Sequence, residues 1–322
     1  MNADPQGRKG GSPPPGGEIR PGDAVPTSWV DTMPAATRPY LRLMRLDRPI
    51  GIWLLFWPCV FGLALGAAID GNAIPNPLYV LLTGIGSIVM RGAGCTYNDI
   101  VDREFDARVA RTRGRPIPSG AVSVRAAWAF AVLLSLIGLA VLLCFNNFAV
   151  LVGVSSLVLI AVYPFMKRIT WWPQAWLGIT FNWGVLFGFA AETGSLDIAA
   201  YLFYAGCFFW TLGYDTIYAH QDKEDDILIG VKSSAIFLGA KSKPWLYVFY
   251  ATAFVLMLAG GFSAGLGLGF ALVMLAPGAH LAWQLYRLDI DRPLLCLRLF
   301  KSNRDTGALI AAALIIGALA AG

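Results

Sequence analysis

The feature that most constrains the fold of this chain is a series of apolar segments, each long enough to cross a lipid bilayer. Backbone polar groups find no water in the hydrocarbon core, so segments of this length and composition are predicted to form helices. Nine such segments occur, at about residues 50–69, 77–97, 124–143, 147–165, 173–191, 198–219, 245–262, 265–286 and 305–321. The predicted fold class is therefore an all-α, polytopic membrane protein with nine transmembrane helices.

The composition supports a membrane protein and excludes several kinds of site. Hydrophobic residues make up 57% of the 322 residues and charged residues only 14%, whereas soluble domains carry roughly a quarter charged residues. The five cysteines are isolated from one another, and there are only two histidines. A disulfide framework, a zinc knuckle and a haem site are therefore not expected. The expected surroundings are a lipid bilayer, and no nucleic acid partner is expected.

Residues 1–37 are predicted to be a disordered tail, and residues 38–322 a transmembrane domain. The tail is rich in proline, glycine and small polar residues, which cannot bury a core. It has no signal-peptide pattern, and the acidic residues scattered between Asp4 and Asp31 disfavour a mitochondrial presequence. We therefore expect a multi-pass protein of the bacterial inner membrane.

Lysine and arginine residues are concentrated at one end of the predicted bundle. The connections at residues 98–123, 166–172, 220–244 and 287–304 hold many of them, whereas the short connections at the opposite end hold none. Basic loops stay on the cytoplasmic side of a membrane, so we expect the N-terminus and these four connections on that side. An exception is Arg91 inside the second segment, for which a structural ion pair and a ligand-binding role both remain open.

An acidic motif closes the second apolar segment, and a similar one closes the sixth. Asn98, Asp102 and Asp106 are spaced at i, i+4 and i+8, so on a continuing helix their side chains point the same way. Asp222 and Asp226 repeat this spacing further along the chain. Acids clustered at a membrane edge indicate a functional site, and their repetition indicates a duplicated unit whose copies face each other. The alternative is that each motif is a solvated helix end.

The residues around the two motifs predict a metal ion and a phosphorylated ligand. Carboxylate and amide oxygens suit Mg²⁺, which is typically held by one or two carboxylates together with water and phosphate. Arg108, Arg111, Arg113 and Arg115 follow the first motif, and Lys232 follows the second. Guanidinium groups pair with phosphate oxygens. A divalent-cation transporter is the alternative from another class, but it predicts polar groups in the far halves of the segments, where the sequence has almost none.

Four motifs lie between Asn98 and Ser233, within a resemblance to a known family that runs from about Tyr40 to Gly322. They are Asn98-Asp-x-x-Asp102-x-x-x-Asp106, Arg113-x-Arg115-Pro-x-Pro-Ser-Gly120, Tyr163-Pro-x-x-Lys-Arg168-x-Thr-x-x-Pro-Gln174 and Gly213-Tyr-Asp-Thr-x-Tyr-Ala-x-x-Asp222-x-x-Asp-Asp226-x-x-x-Gly-x-Lys-Ser233. Together they resemble the UbiA family of intramembrane aromatic prenyltransferases. The two aspartate motifs are typical of the whole family, and the last two motifs resemble its hydroxybenzoate branch.

The resemblance implies a nine-helix bundle around a central cavity that opens toward the cytoplasm and sideways to lipid. It also implies an Mg²⁺-dependent enzyme of ubiquinone biosynthesis. This enzyme would transfer a polyprenyl group from polyprenyl diphosphate to the ring carbon ortho to the hydroxyl of 4-hydroxybenzoate. Homogentisate, dihydroxynaphthoate, haem and chlorophyllide are alternative acceptors, and association with other quinone-pathway enzymes is left open.

The resemblance further implies a role for each site residue. Asn98 and Asp102 are expected to bind one Mg²⁺ with the support of Asp106, and Asp222 and Asp226 are expected to bind a second Mg²⁺. The four aspartates of these two sets are also the expected catalytic carboxylates. Asp215 and Asp225 are expected to lie nearby. Substrate-binding residues are expected to be Arg111, Arg115 and Lys232 toward the diphosphate, Lys167 and Arg168 toward the aromatic acid, and Arg48 and Tyr218 beside the cavity. Arg168 is the expected partner of the acid's carboxylate.

Overall fold

The computed structural model describes residues 27–108, 112–221, 223–228 and 230–321. Within these ranges the chain forms α-helices and two short 3-10 helices, and no strand, so the predicted all-α class is confirmed. The α-helices are α1 (Arg38–Leu43), α2 (Ile50–Ile69), α3 (Pro77–Asp106), α4 (Val124–Leu142), α5 (Asn147–Ile169), α6 (Pro173–Thr193), α7 (Ile198–Ala219), α8 (Lys223–Leu228), α9 (Ser234–Leu238), α10 (Ser242–Ser263), α11 (Leu268–Arg287), α12 (Pro293–Lys301) and α13 (Asn303–Ala321).

Nine of the described helices have 19 or more residues, and they correspond to the nine predicted segments. Seven helical stretches of the described chain are long and apolar enough to cross a membrane. Helices α6 and α7 are not among the seven, and they carry buried polar side chains such as Asn182 and Thr211. The prediction of nine long helices therefore matches the described chain, and seven of them are apolar enough to cross a membrane by length and composition.

Helix α3 is longer than the apolar segment that predicted it. It begins after Asn76, whose side chain accepts a hydrogen bond from the backbone N–H of Leu78, and it continues for 30 residues to Asp106. The acidic motif is therefore part of the helix itself. Asn98, Asp102 and Asp106 consequently share one helical face, as their spacing predicts.

Helices α2 and α6 pack at very short distance through glycine residues spaced by four. A Cβ atom at Gly62 of α2 would lie 2.1 Å from the carbonyl oxygen of Val185, and one at Gly188 of α6 would lie 2.2 Å from that of Cys59. Small residues at this spacing allow two membrane helices to bring their backbones together. The α2–α6 pair thereby forms one fixed wall of the interior.

A buried polar network joins the other side of the bundle. The Trp210 indole N–H donates to Asn303 Oδ1 at 2.8 Å, and the Tyr250 hydroxyl donates to Gln284 Oε1 at 2.9 Å. The Gln284 Nε2 amide donates to Asn303 Oδ1 at 3.3 Å and so connects the two pairs. The network links α7, α10, α11 and α13 in a region where unpaired polar groups would be costly.

The folded chain begins earlier than the predicted disordered tail allows. Trp29–Thr32 form a 3-10 helix, and the Trp29 indole N–H donates to the carbonyl of Leu46 at 3.1 Å. Asp31 and Arg42 form an ion pair at 3.2 Å. Residues 27–37 are thus fastened to α1 and to the segment that follows it, and the rest of the predicted tail lies outside the described residues.

Candidate active site

A cavity of about 1080 Å³ lies among α2 to α7 and reaches the end of α3 that carries the acidic motif. The described residues to which the resemblance gives a catalytic, metal-binding or substrate-binding role all line this cavity: Arg48, Asn98, Asp102, Asp106, Arg115, Lys167, Arg168, Tyr218, Asp226 and Lys232. Arg108 and Arg113 are exposed and do not line it. Arg111, Asp222 and the side chain of Asp225 lie outside the described residues. The two motifs, far apart in the sequence, therefore border one space.

Asp102 is buried and is held by two cations from the last turn of α5. Lys167 Nζ lies 2.5 Å from Oδ2, and Arg168 Nη2 lies 2.9 Å from Oδ1. A buried carboxylate is tolerated only when its charge is compensated in this way. The side chains of Lys167 and Arg168 are themselves 31% and 35% exposed, so both cations also reach water at the cavity wall.

A second group of ion pairs involves Asp99 and Asp106 of α3 and two arginine side chains. Arg115 Nη1 lies 2.8 Å from Asp106 Oδ2 and 3.4 Å from Asp99 Oδ1. Arg45 Nη2 lies 2.6 Å from the same Asp99 oxygen. Two guanidinium groups and two carboxylates thus alternate along the cavity wall, which places two predicted site residues, Asp106 and Arg115, in direct contact.

Residues 230–233, which precede α9, line the cavity and lie against the end of α5. The Val231 N–H donates to the carbonyl of Asp226 at 2.9 Å, and the Lys232 N–H donates to the carbonyl of Lys167 at 3.0 Å. The Lys232 ammonium group donates to the carbonyl of Ile169 at 3.1 Å. These bonds bring the described part of the second motif beside the cations that hold Asp102.

His220, which directly follows α7, adds no positive charge to this end of the bundle. Burial, reinforced by the nearby charge of Lys223, lowers the pKa of His220 to about 4. The neutral ring shares a hydrogen bond of 2.9 Å with the Ser242 hydroxyl. The positive charge around the cavity therefore comes from lysine and arginine side chains.

Arg91 lines the cavity further along α3. Its guanidinium group lies over the ring of Phe181, 5.3 Å from the ring centroid, and packs against Gly51, where a Cβ atom would come within 2.5 Å of Arg91 Nε. The Nε atom is buried and makes no hydrogen bond. Asp215 and Tyr163 line the same cavity. The arrangement leaves a buried donor available to an anionic group.

Most of the remaining cavity wall is apolar. Leu136, Leu139 and Leu142 of α4 face the cavity together with Leu157 of α5 and Phe187 of α6. An apolar lining of this kind suits a hydrocarbon chain. One cavity therefore combines a charged end with an apolar arm.

The oxygen donors around the cavity fit Mg²⁺ in the form in which it binds together with phosphate. Within the described residues no group of three or more acidic, histidine or cysteine side chains could hold a metal ion by itself. Mg²⁺ is usually held by one or two carboxylates, with water and phosphate completing its shell. Asn98, Asp102, Asp106 and Asp226 supply oxygen donors of that kind around one space.

Asp99 and Arg45 are not among the predicted site residues, although both border the cavity. A signal for Asp99 is present, because it precedes Asp102 by three positions and Asp106 by seven and so belongs to the same helical stripe. No such periodicity exists for Arg45, which lies between α1 and α2. Its contact with Asp99 depends on the tertiary fold.

The fold is similar to solved structures of UbiA homologues. The apo structure of a UbiA homolog from Aeropyrum pernix K1 superposes with a TM-score of 0.69 at 26% identity, covering 81% of this chain and 97% of that one. A UbiA homolog from Archaeoglobus fulgidus bound to DMAPP and Mg²⁺ superposes with a TM-score of 0.66 at 21% identity, covering 88% and 98%. The second likeness concerns the fold alone.

Curated relatives share more of the sequence. The mitochondrial 4-hydroxybenzoate polyprenyltransferase of Bos taurus is 44% identical over 310 residues, which is 96% of this chain and 83% of that protein. The protein of the same name from Homo sapiens is 44% identical over 90% of this chain and 78% of its own length. The predicted bacterial inner membrane is wrong by this comparison, because these relatives are named as mitochondrial proteins.

A family model also matches most of the chain. The model of the UbiA prenyltransferase family matches residues 55–319, which include the first acidic motif, the end of α5 and the described part of the second motif. The predicted family is thereby confirmed. This chain belongs to the UbiA prenyltransferase family.

Proposed function

We propose that this chain transfers a polyprenyl group from polyprenyl diphosphate to the ring carbon ortho to the hydroxyl of 4-hydroxybenzoate, as a step of ubiquinone biosynthesis. The observation that carries the proposal is the cavity, which has acids and cations at one end and an apolar arm beyond them. This division matches a substrate with a charged diphosphate and a hydrocarbon tail. The names of the curated relatives support the same reaction.

The diphosphate binds at the charged end. Asn98, Asp102 and Asp106 on α3 would hold one Mg²⁺, and Asp226 with Asp222 a second. When bound, Mg²⁺ supplies positive charge that stabilises the departing diphosphate. Four basic side chains pair with the phosphate oxygens at this end: Arg48, Arg111, Arg115 and Lys232.

The reaction begins when the bond between C1 of the prenyl group and the diphosphate oxygen breaks, and the bonding electrons leave with the diphosphate. The allylic cation that remains is attacked by the ring carbon ortho to the hydroxyl, which forms the new C–C bond. That carbon then loses its proton to a carboxylate or to the released diphosphate, and Asp102 is one candidate acceptor. Tyr163, Phe181 and Tyr218 line the cavity and supply aromatic groups that stabilise a nearby cation.

The carboxylate of 4-hydroxybenzoate requires a cationic partner. Arg168, with Lys167 beside it, fills this role in our proposal, because both reach the cavity and remain partly exposed. Arg91 is a second candidate, since its buried Nε has no hydrogen-bond partner and it lies on the cavity wall. The two assignments make different kinetic predictions.

The reaction is tested with membranes that contain the protein, supplied with Mg²⁺, geranyl diphosphate and one aromatic acceptor at a time. We expect a prenylated product with 4-hydroxybenzoate and none with homogentisate or dihydroxynaphthoate. Product with another acceptor alone would change the substrate but keep the enzyme class. No product with any acceptor, together with Mg²⁺ flux in liposomes, would support the transporter instead.

A further inference from the structure

We propose that Asp99 is a positioning residue, whose buried carboxylate fixes the guanidinium groups of Arg45 and Arg115 at the diphosphate end of the cavity without binding substrate itself. The inference rests on the proposed function, because it assigns a purpose to the arginine residues of that same site. It does not depend on which aromatic acid is the acceptor.

The carboxylate of Asp99 is enclosed by protein. Asp99 is 0% exposed, and its Oδ1 accepts from Arg45 Nη2 at 2.6 Å and from Arg115 Nη1 at 3.4 Å. Its Oδ2 is buried and makes no hydrogen bond. A charge buried this deeply is retained only where its partners compensate it. Both of its described partners are arginine side chains that line the cavity.

The backbone at Arg45 is held in an unusual conformation. Among the described residues, Arg45 is the only one other than glycine with a positive φ, at 59°. Strain of this kind persists where the surrounding structure imposes it, and it concentrates at functional sites. Here it turns the guanidinium group toward Asp99, while Arg45 Nη1 remains buried and without a hydrogen-bond partner. Arg45 therefore keeps one donor unused beside the cavity.

Arg115 is shared between two acids with different surroundings. Its Nη1 lies 2.8 Å from Asp106, which is proposed to support a metal ion, and 3.4 Å from Asp99. If Asp106 were to hold a metal ion, Asp99 would still be in place to hold the guanidinium group of Arg115. Removing the charge of Asp99 would release Arg45. Of the two acids, only Asp106 would then still pair with Arg115. Both changes weaken binding of a diphosphate.

The test replaces Asp99 with Asn, which keeps the shape of the side chain and removes its charge. Binding of inorganic diphosphate in the presence of Mg²⁺ is measured by titration calorimetry on the purified full-length protein. We expect Asp99→Asn to raise the Kd by about tenfold or more, the size expected for loss of a charge-assisted contact. The KM for geranyl diphosphate should rise in parallel, while the KM for 4-hydroxybenzoate changes less than twofold.

A double-mutant cycle shows whether Asp99 acts through Arg45. If it does, the effects of Asp99→Asn and Arg45→Gln on the Kd are less than additive, and Asp99→Asn weakens the Arg45→Gln variant only by the part that Asp99 contributes through Arg115. The double variant also removes both charges of the pair together, so it remains informative if Asp99→Asn alone fails to fold. Glu104→Gln is the matched control, because Glu104 lies on the same helix but its side chain is exposed. This variant should bind diphosphate as tightly as the unaltered protein does.

The outcomes separate this inference from the proposed function. A wild-type Kd for Asp99→Asn, an equal rise in both KM values, or fully additive effects in the cycle would overturn the positioning role. If the unaltered protein binds diphosphate but prenylates no acceptor, the proposed function fails. The role of Asp99 then stands or falls on the calorimetry alone.

Discussion

Asp102 supplies the negative charge between two cations, so its replacement by Asn leaves Lys167 and Arg168 without that charge at the cavity wall. Because both cations are about one-third exposed, they can turn toward water, and we expect Asp102→Asn to fold. Turnover should fall about 100-fold or more, as it does when a charged group at a reacting centre is removed. Initial rates in membranes measure the turnover, and the thermal midpoint of the purified protein measures whether the variant folds. Near-normal turnover would contradict the assignment of Asp102.

Arg168 and Arg91 line the same cavity at different depths, which allows kinetics to assign the carboxylate of the aromatic acid. Arg91 precedes Asn98 by seven residues on α3, about 10 Å along the helix. If Arg168 binds the acid, Arg168→Ala raises the KM for 4-hydroxybenzoate at least tenfold more than the KM for the diphosphate. The same selective effect from Arg91→Ala would reassign the contact. An equal effect of Arg168→Ala on both substrates would mean that Arg168 acts through Asp102.

The residues that could be predicted from the sequence are those whose contacts follow from helix periodicity. Asn98, Asp102 and Asp106 share a face because they are four residues apart, and α3 continues through all three. The ion pair between Arg45 and Asp99 joins residues 54 positions apart, and it depends on a turn with positive φ. No local pattern encodes that contact, so only the folded structure shows it.

Among whole elements, the α2–α6 pair depends on the absence of side chains at its contact. Gly188→Ala would place a Cβ atom 2.2 Å from the carbonyl oxygen of Cys59, so the helices must separate. Overpacking of this kind typically costs about 1–3 kcal/mol, and we expect a lower thermal midpoint and a lower yield of folded protein. Gly84→Ala on α3 is the control, because its nearest neighbour would be at 3.6 Å. Equal midpoints for the two variants would contradict the close packing.

The boundaries of the elements were less predictable than their existence. The apolar segments located every long helix, but α3 extends to Asp106 because a helix can continue beyond the membrane where its side chains find partners. Likewise, Trp29–Thr32 is a single short turn capped by Ser28 and Asp31, and it is held to the rest of the chain through Leu46 and the Asp31–Arg42 pair. Composition reports whether a segment can be buried, and tertiary contacts decide where it ends.

At the scale of the whole molecule, the cavity connects the charged end to an apolar arm between α4 and α5, and its length limits the prenyl chain. Val132 and Leu142 both line the cavity and are ten residues apart on α4, about 15 Å. A bulky side chain at Leu142 should therefore block long chains and leave short ones unaffected. We expect Leu142→Trp to lower kcat/KM at least tenfold for a polyprenyl diphosphate of eight or more isoprene units, with little change for geranyl diphosphate.

The adjacent residue provides a matched control for this last experiment. Leu143 is 63% exposed and is not part of the cavity lining, so Leu143→Trp adds the same bulk outside the arm. It should retain the chain-length preference of the unaltered protein. If Leu142→Trp slows geranyl and long-chain substrates equally, the hydrocarbon chain does not run along α4. The apolar arm would then have to be assigned to another ligand, because a path that ignores Leu142 cannot use this part of the cavity.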